Sequence, residues 1–337
     1  MYIIIGATGF IGVYTTEYFL KHGERVVAAG RNKKVAELLQ NMGADYIELD
    51  VTSKDDFDKL PTDGVDGVIL LAGLLPANTT ADLKIEENAA DYFEVNVKGA
   101  INVLEYCRKN GIKRVIGNCS YSDVSGAWGK GYEITEEEPR NFKFTGDHAV
   151  YVISRNACND VMEYYNEQHG LRCAWFRFPP VYGVGPHGTI YVDGVPKKSG
   201  IATFIDNACE GKDIEIWGDP HIKRDIIYVK DVARAYYLAM KSDKTYGLYN
   251  MTGHVQIDLE EQVRTVIDVF GNKKHPSRVI YRPEKPNSTP SYLYSMEKAK
   301  RDFDFEPEYR DYKKMMLDYK DVLESREWEQ LITTRRK

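Results

Sequence analysis

Three glycines near the N-terminus have the spacing of a phosphate-binding turn. Gly6, Gly9 and Gly12 follow the apolar run 2–5 and precede an amphipathic segment at 11–21. Such a turn brings bare backbone N–H groups and a helix N-terminus up to a pyrophosphate, because no side chain blocks the approach. The spacing is G-x-x-G-x-x-G rather than the commoner G-x-G-x-x-G, and glycine triplets also occur in ordinary tight turns. Because this turn joins a buried-type strand to a helix, the sequence predicts a dinucleotide-binding site.

Strand-like and helix-like segments alternate after that turn. The strand-like segments are 25–29, 46–49, 67–72, 113–119 and 171–176, and the helix-like segments are 33–40, 86–110 and 150–169. This alternation predicts an α/β fold with a doubly wound parallel sheet and right-handed crossovers.

The pattern changes after about residue 180. Gly/Pro-rich loops occupy 183–194, and a charged helix is expected from about residue 309. We therefore expect residues 1–180 to form a dinucleotide-binding domain, to which parts of the later chain return. Residues 181–337 are expected to fold over the C-terminal edge of the sheet as a smaller substrate-binding lid.

Composition excludes several classes of partner. The 337 residues carry a net charge of −6 with a pI near 5.8, and their basic residues are scattered, which argues against nucleic-acid binding. No apolar run approaches a membrane span, and a strand starting at residue 2 leaves no room for a signal peptide, so a cytoplasmic protein is expected. The five cysteines lack Cys-x-x-Cys spacing and are interpreted as reduced core residues, and the isolated histidines predict no metal site.

Segment 86–110 is apolar on more than one face, so it should be buried on two sides. One side can face the sheet. The other can face either the lid or a second subunit, and a homodimer contact that also uses 150–169 is a hypothesis left open at this point.

Motifs along nearly the whole chain carry a family resemblance. They are GATGFIG at 6–12 and further motifs at 50–51, 71–73, 96–104, 151–155, 177–183, 224–233 and 247–250. Together they resemble the extended short-chain dehydrogenase/reductase family, the NAD(P)-dependent epimerase/dehydratase group that includes nucleotide-sugar epimerases. The resemblance implies a Rossmann fold and a nicotinamide cofactor. The cofactor-contacting residues that it implies are Gly6, Thr8, Gly9, Phe10, Ile11, Gly12, Asp50, Val51, Leu71, Ala72, Gly73, Asn96, Phe178 and Val181.

The choice between NAD and NADP depends on the end of the second strand, where a carboxylate would accept the ribose hydroxyls of NAD. Gly30 occupies that place and Arg31 follows, so a 2′-phosphate would meet a guanidinium capable of bidentate contact. This favours NADP(H), with NAD as the weaker alternative. The resemblance implies that Asp50 contacts the adenine. A role of Asp50 as the N-cap of the next helix explains an aspartate there equally well.

Chemistry in the resembled family uses a tyrosine, a lysine four residues later, and a Ser or Thr at the end of the fifth strand. Tyr151 matches the tyrosine, which would exchange a proton while the nicotinamide exchanges hydride. Arg155 replaces the lysine on the same helix face. Either cation lowers the pKa of a phenol, but a planar guanidinium differs in shape from an ammonium.

The hydroxyl position of the fifth strand is also altered. One alignment places Tyr121 there and a shorter one places Ser120 there, so both remain candidates. Asp123 lies where dehydratases carry an acid, but Ser122 replaces the preceding carboxylate, which argues against dehydration.

Two arginines resemble substrate-binding residues of the family. Arg224 and Arg282 match arginines that contact a nucleotide diphosphate, although each could equally be a surface arginine paired with Asp225 or Glu284. Pro180 replaces an asparagine that holds substrate phosphate in many epimerases, and proline supplies no donor.

Two functions therefore remain. The first is an NAD(P)-dependent epimerase or reductase with a Tyr-x-x-x-Arg pair, acting on a hydroxyl or carbonyl of a sugar-like substrate, either nucleotide-linked or free. The alternative is a cofactor-binding sensor or scaffold of the same fold with weakened catalysis.

Overall fold

The centre of the molecule is a seven-stranded parallel β-sheet. The computed structural model describes residues 1–79, 87–192, 195–287 and 289–333. The strands of these residues are β1 (Tyr2–Ile5), β2 (Val26–Gly30), β3 (Asp45–Glu48), β4 (Gly67–Leu70), β5 (Arg114–Ser120), β6 (Glu133–Ile134), β7 (Arg172–Phe178), β8 (Val181–Tyr182), β9 (Thr189–Val192), β10 (Val195–Lys198), β11 (Ile214–Trp217), β12 (Ile227–Tyr228), β13 (Gly247–Asn250), β14 (Val279–Arg282) and β15 (Leu293–Tyr294). The order across the large sheet is β13-β7-β5-β4-β1-β2-β3.

Helices cover both faces of this sheet. They are α1 (Phe10–Lys21), α2 (Lys33–Asn41), α3 (Ala89–Tyr92), α4 (Gly99–Lys109), α5 (Asp147–His169), α6 (Gly200–Glu210), α7 (Val229–Lys241), α8 (Leu259–Phe270), α9 (Glu297–Phe303), α10 (Tyr312–Ser325) and α11 (Glu329–Thr333). One apolar core joins the sheet to α1, α2, α7 and α9, and a second joins its other face to α4 and α5. The result is the expected doubly wound α/β fold.

The strand order places a crevice beside the glycine turn. Tyr2 aligns with Val26 on one side and with Gly67 on the other, so β1 lies between β2 and β4. The chain winds outward from β1 in both directions. In such sheets the carboxyl ends of the strands at this reversal form the ligand-binding crevice.

The later part of the chain builds a separate apolar core from α6, α8 and α10. Its antiparallel hairpin, β9 with β10, approaches the short 3-10 helix Pro76–Asn78 that follows β4. Strand β13 nevertheless belongs to the large sheet, where it pairs with β7. None of the described helices combines the length and the apolar character needed to span a bilayer.

The structure refines two expectations from the sequence. The helix expected over 86–110 is present over 89–109 in its described part, but the π-helix Phe93–Lys98 lies between α3 and α4. Its apolar residues are also not all buried, since Phe93 is 40 % exposed. Cys209 lies near the exposed end of α6 rather than in a core, although the other four cysteines are buried.

Candidate active site

The glycine turn packs backbone against backbone. Gly6 has φ of +92°, and a Cβ there would lie 2.5 Å from the amide nitrogen of Ala72. A Cβ on Gly12 would lie 2.3 Å from the carbonyl oxygen of Gly6. Gly9 is the N-cap of α1, whose first turn has neither a side-chain cap nor an acidic residue. The helix N-terminus therefore presents backbone N–H groups that fit the pyrophosphate of a dinucleotide.

Two side chains of the turn make contacts with other segments. Phe10 is 7 % exposed, and its ring is so close to Gly185 that a Cβ on that glycine would lie 2.4 Å from it. Phe10 therefore helps to join the turn to the loop after β8, while Ile11 is only half-buried beside it. The Thr8 hydroxyl would lie 2.5 Å from a Cβ on Gly30. A carboxylate at position 30 would require Thr8 to move.

Arg31 and Asp50 lie together at the ends of β2 and β3. Their Nη1 and Oδ2 atoms are 3.1 Å apart, and the Arg31 side chain is 62 % exposed. The other Asp50 oxygen accepts hydrogen bonds from the Thr52 N–H and hydroxyl, so Asp50 also makes the local turn contact. Partial burial raises the pKa of Asp50, but the Thr52 hydrogen bonds and the Arg31 charge outweigh it and the net pKa is lowered. The neighbouring Val51 is buried.

The loop after β4 is held from two sides. Leu71 and Ala72 donate their N–H groups to the Ile5 carbonyl, 2.8 and 3.0 Å away. On the other side, the Asn96 amide donates to the Leu74 carbonyl at 3.1 Å and accepts from the Leu74 N–H at 2.8 Å. Asn96 is 2 % exposed, so in this structure it fixes the loop rather than facing an open cleft.

Helix α5 carries Tyr151 and Arg155 into the same buried region. Tyr151 is 8 % exposed and Arg155 is 2 % exposed. The guanidinium carbon lies 5.7 Å from the centre of the tyrosine ring. Burial raises the pKa of the Tyr151 phenol, and the charge and hydrogen bond of Arg155 oppose that effect only in part. The Arg155 Nε is buried and has no hydrogen-bond partner.

Ser120 and Tyr121 occupy different surroundings. Ser120 ends β5 and is 2 % exposed, and its Oγ is 2.7 Å from the Ser122 Oγ. Tyr121 is half-buried, with its ring stacked on Trp128 at 5.4 Å between centroids. Burial raises the pKa of Tyr121, and both Tyr151 and Arg224 are near enough to influence it. Tyr121 therefore lies near Tyr151 and Arg224, whereas the hydroxyl of Ser120 is hydrogen-bonded to Ser122.

The two predicted substrate arginines differ in their partners. Arg224 is half-buried, donates through Nη2 to the Thr289 carbonyl at 3.3 Å, and has a buried Nε without a hydrogen-bond partner. Arg282 is 43 % exposed, and its Nε is 2.9 Å from Glu215, which replaces Glu284 as the expected partner. Hydrogen bonds from Lys285, Trp217 and Arg282 lower the pKa of Glu215 to about 2. The charge of Arg282, at the end of β14, is thus paired with that of Glu215. No described contact joins Arg282 to Arg224.

Phe178 and Val181, two further residues expected to contact the cofactor, lie at the end of β7 and the start of β8. Phe178 is 7 % exposed at the end of β7, and Val181 begins β8 opposite Ile227. The sequence analysis did not single out Tyr182 as a site residue. Burial raises the pKa of Tyr182 to about 12, although the nearby charge of Arg224 opposes this. Its position in the motif at 177–183 was visible, but its proximity to Tyr121 depends on tertiary packing.

A buried ion pair that the sequence did not reveal lies beside the site. Asp123 and Arg177 are 2.9 Å apart, with side chains 3 % and 1 % exposed. The Arg177 Nη1 donates to the Asn250 Oδ1 at 3.0 Å, and its Nε is buried without a hydrogen-bond partner among the described residues. The pair joins the segment after β5 to β7 and β13, so Asp123 has a structural partner in this protein.

The glycine turn at the strand reversal and the tyrosine on α5 define a nicotinamide-dinucleotide enzyme with a Rossmann fold. The profile of the NAD dependent epimerase/dehydratase family matches residues 2–252. The chain belongs to this family.

Similar proteins and structures span nearly the whole chain. A dTDP-4-dehydro-6-deoxy-D-allose reductase of Streptomyces bikiniensis is 26 % identical over 314 residues, 91 % of each chain. A UDP-glucose 4-epimerase of Halalkalibacterium halodurans is 24 % identical over 319 residues, 91 % of this chain and 90 % of its own. The structure of a Thermotoga maritima UDP-glucose 4-epimerase with UDP-glucose matches with a TM-score of 0.77 at 20 % identity, covering 96 % of this chain and 99 % of the other. That structure shows the fold.

Proposed function

We propose that this protein is an NADP(H)-dependent epimerase or reductase that acts on a hydroxyl or carbonyl group of a nucleotide-linked sugar. The observation that carries the proposal is the buried pair of Tyr151 and Arg155 on α5, with Tyr121 and Arg224 close by. Tyr151 would exchange a proton with the substrate oxygen, and Arg155 would stabilise the phenolate. When bound, the nicotinamide supplies or accepts the hydride.

The cofactor preference rests on Arg31. Its guanidinium is exposed at the end of β2 and shares only one nitrogen with Asp50. A 2′-phosphate could therefore bind the guanidinium with little rearrangement, which supports NADP(H) over NAD. A similar structure, a Thermus thermophilus UDP-glucose 4-epimerase 22 % identical, was solved in complex with NAD. Comparison of NADPH and NADH affinities therefore tests the preference.

The substrate class rests on Arg224. Its buried Nε is a donor without a partner, and an unpaired buried donor is unfavourable until an acceptor reaches it. A diphosphate oxygen would satisfy it. The names of the reductase and epimerase relatives, which concern dTDP- and UDP-linked sugars, support the same class. The ion pair of Asp123 with Arg177 argues against use of Asp123 as a dehydratase acid.

A homodimer is part of the proposal. Phe93 on the π-helix is 40 % exposed and Tyr164 on α5 is 55 % exposed, and α5 packs against both the π-helix and α4. Exposed aromatic side chains on two adjacent helices suit an interface between copies. Sedimentation at micromolar concentration tests this, because a monomer under those conditions would refute it.

The deciding experiment measures turnover with a panel of UDP- and dTDP-linked hexoses and their 4-keto derivatives. NADPH oxidation by a keto sugar identifies a reductase, and interconversion of two sugars without net change in cofactor identifies an epimerase. Tyr151→Phe must abolish either activity. Tight NADPH binding without turnover of any substrate would instead favour the sensor or scaffold alternative. The observation that supports this alternative is the arginine at position 155, where the family has a lysine.

A further inference from the structure

Gly73 packs against the guanidinium of Arg155. A Cβ at position 73 would be 1.9 Å from Nη2 and 2.8 Å from Cζ of Arg155. The backbone of Gly73 is not among the glycines with positive φ, so its conformation is open to alanine. The two closest atoms belong to the end of the Arg155 side chain, and the Asn96 Oδ1 follows at 3.1 Å, so alanine at position 73 would first have to displace the guanidinium.

We propose that Gly73 is a positioning residue that admits the arginine of the Tyr-x-x-x-Arg pair, so that positions 73 and 155 form one functional unit. This inference rests on the proposed function and deepens it. It implies that the site has been rebuilt around a guanidinium and does not contain an imperfect substitute for lysine. The unit would hold the guanidinium beside the ring of Tyr151, where the distance from ring centre to Cζ is 5.7 Å.

The two segments on either side of the guanidinium, the loop after β4 and helix α5, are held by hydrogen bonds. Asn96 binds the Leu74 backbone on one side and donates to Ser154 Oγ at 3.0 Å on the other. Ser154 Oγ in turn donates to the Tyr151 carbonyl at 2.8 Å. The loop after β4 and helix α5 are therefore joined next to Gly73. Because both segments are held in place, an added methyl group at position 73 should displace the flexible end of Arg155 rather than the backbone.

One donor of Arg155 has no acceptor within the described part of the protein. Its Nε is buried without a partner, in a side chain that is 2 % exposed. A buried guanidinium N–H that lacks an acceptor is costly, and a cofactor or substrate oxygen in the crevice would supply one. A lysine ammonium is a compact charge on a flexible stem and cannot present this planar arrangement of donors.

The test compares wild type, Gly73→Ala, Arg155→Lys and the double variant. Gly200→Ala is the matched control, because nothing lies within 4 Å of a Cβ at that glycine. Three quantities are measured for each: kcat against pH, the NADPH Kd by calorimetry, and the melting temperature. A misplacement of about 1 Å in a catalytic group costs roughly 100-fold in rate, so Gly73→Ala should lower kcat by about that factor. Its melting temperature should match that of Gly200→Ala.

The double variant decides the inference. In the Arg155→Lys background, Gly73→Ala should change kcat and NADPH Kd by less than about threefold, so the two substitutions are strongly non-additive. Gly73→Ala alone should also move the pH dependence of kcat upward, because the cation that lowers the phenol pKa is displaced. The inference would be overturned if the effects of the two substitutions on kcat multiplied in the double variant. It would also be overturned if Gly73→Ala left the pH dependence of kcat unchanged.

The binding measurement separates this inference from the proposed function. If wild type turns over no sugar, the proposed reaction fails, but the NADPH Kd of the four proteins still shows whether positions 73 and 155 are coupled. If Tyr151→Phe is inactive while Gly73→Ala and Arg155→Lys act additively, the reaction stands and the coupling is refuted.

Discussion

The glycine turn and the face of α5 that carries Tyr151 and Arg155 are both crowded, but the atoms that cause the crowding differ in kind. In the turn, a Cβ on Gly6 or Gly12 would meet backbone atoms at 2.5 and 2.3 Å. Near α5, a Cβ on Gly73 would meet the end of the Arg155 side chain at 1.9 Å. Backbone cannot move without disturbing the sheet, whereas a side chain can rotate. Substitution in the turn should therefore damage the fold and cofactor binding together, and substitution near α5 should change chemistry in an intact fold.

Removal of the Tyr151 hydroxyl should have the largest effect. A general acid or base contributes about 100- to 10,000-fold to rate, so Tyr151→Phe should lower kcat by about 1,000-fold and leave the NADPH Kd nearly unchanged. Tyr132→Phe is the control, because Tyr132 is 45 % exposed and its hydroxyl bonds only locally to Glu138. Steady-state kinetics with both variants checks this, and a wild-type rate in Tyr151→Phe would place the chemistry elsewhere.

Gly12→Ala tests the other half of the comparison. Forcing a methyl group against the Gly6 carbonyl should lower the free energy of unfolding by about 1–3 kcal/mol. It should also raise the NADPH Kd by at least about tenfold, or 1.4 kcal/mol. Denaturant melts and calorimetry measure these, with Gly200→Ala again as control. A loss of binding without any loss of stability would show that the two regions do not differ as described.

Arg31→Ala should act on cofactor choice alone. A charge-assisted hydrogen bond is worth about 1.5–3 kcal/mol, so NADPH should bind about 10- to 100-fold more weakly while NADH binding stays the same. Arg25→Ala is a close control, because Arg25 also forms an exposed ion pair, with Asp45 at 2.9 Å, between β2 and β3. Equal Kd values for NADPH and NADH in wild type would refute the NADP(H) assignment.

The smallest effect is expected from the contrast between Arg224 and Arg282. Arg224→Ala removes the donor with a buried, unpaired Nε and should raise KM for a nucleotide-linked substrate by about tenfold. Arg282→Ala breaks an exposed ion pair with Glu215, which is worth little, so KM should change by less than about twofold. An unchanged KM in Arg224→Ala would remove the main support for a nucleotide sugar.

Much of the architecture could be predicted from periodicity. Strands β1 to β5 and β7 lie within about two residues of their expected positions, because buried parallel strands are short apolar runs bounded by turn residues. The π-helical stretch within the helix over 89–109 could not be predicted in this way. This stretch contains Asn96, whose hydrogen bonds are to Leu74 and Ser154, both remote in sequence. Periodicity reports which residues are apolar but carries no information about such partners.

The sequence by itself determined the doubly wound sheet, the glycine turn and the replacement of lysine by Arg155, because these depend on local residue types and spacing. Only the tertiary structure distinguished Arg224 from Arg282, since the difference lies in Glu215, 67 residues from Arg282 along the chain. It alone placed Gly73 beneath Arg155 and paired Asp123 with Arg177. Burial and charge pairing arise from segments that meet only after folding, so no local pattern encodes them.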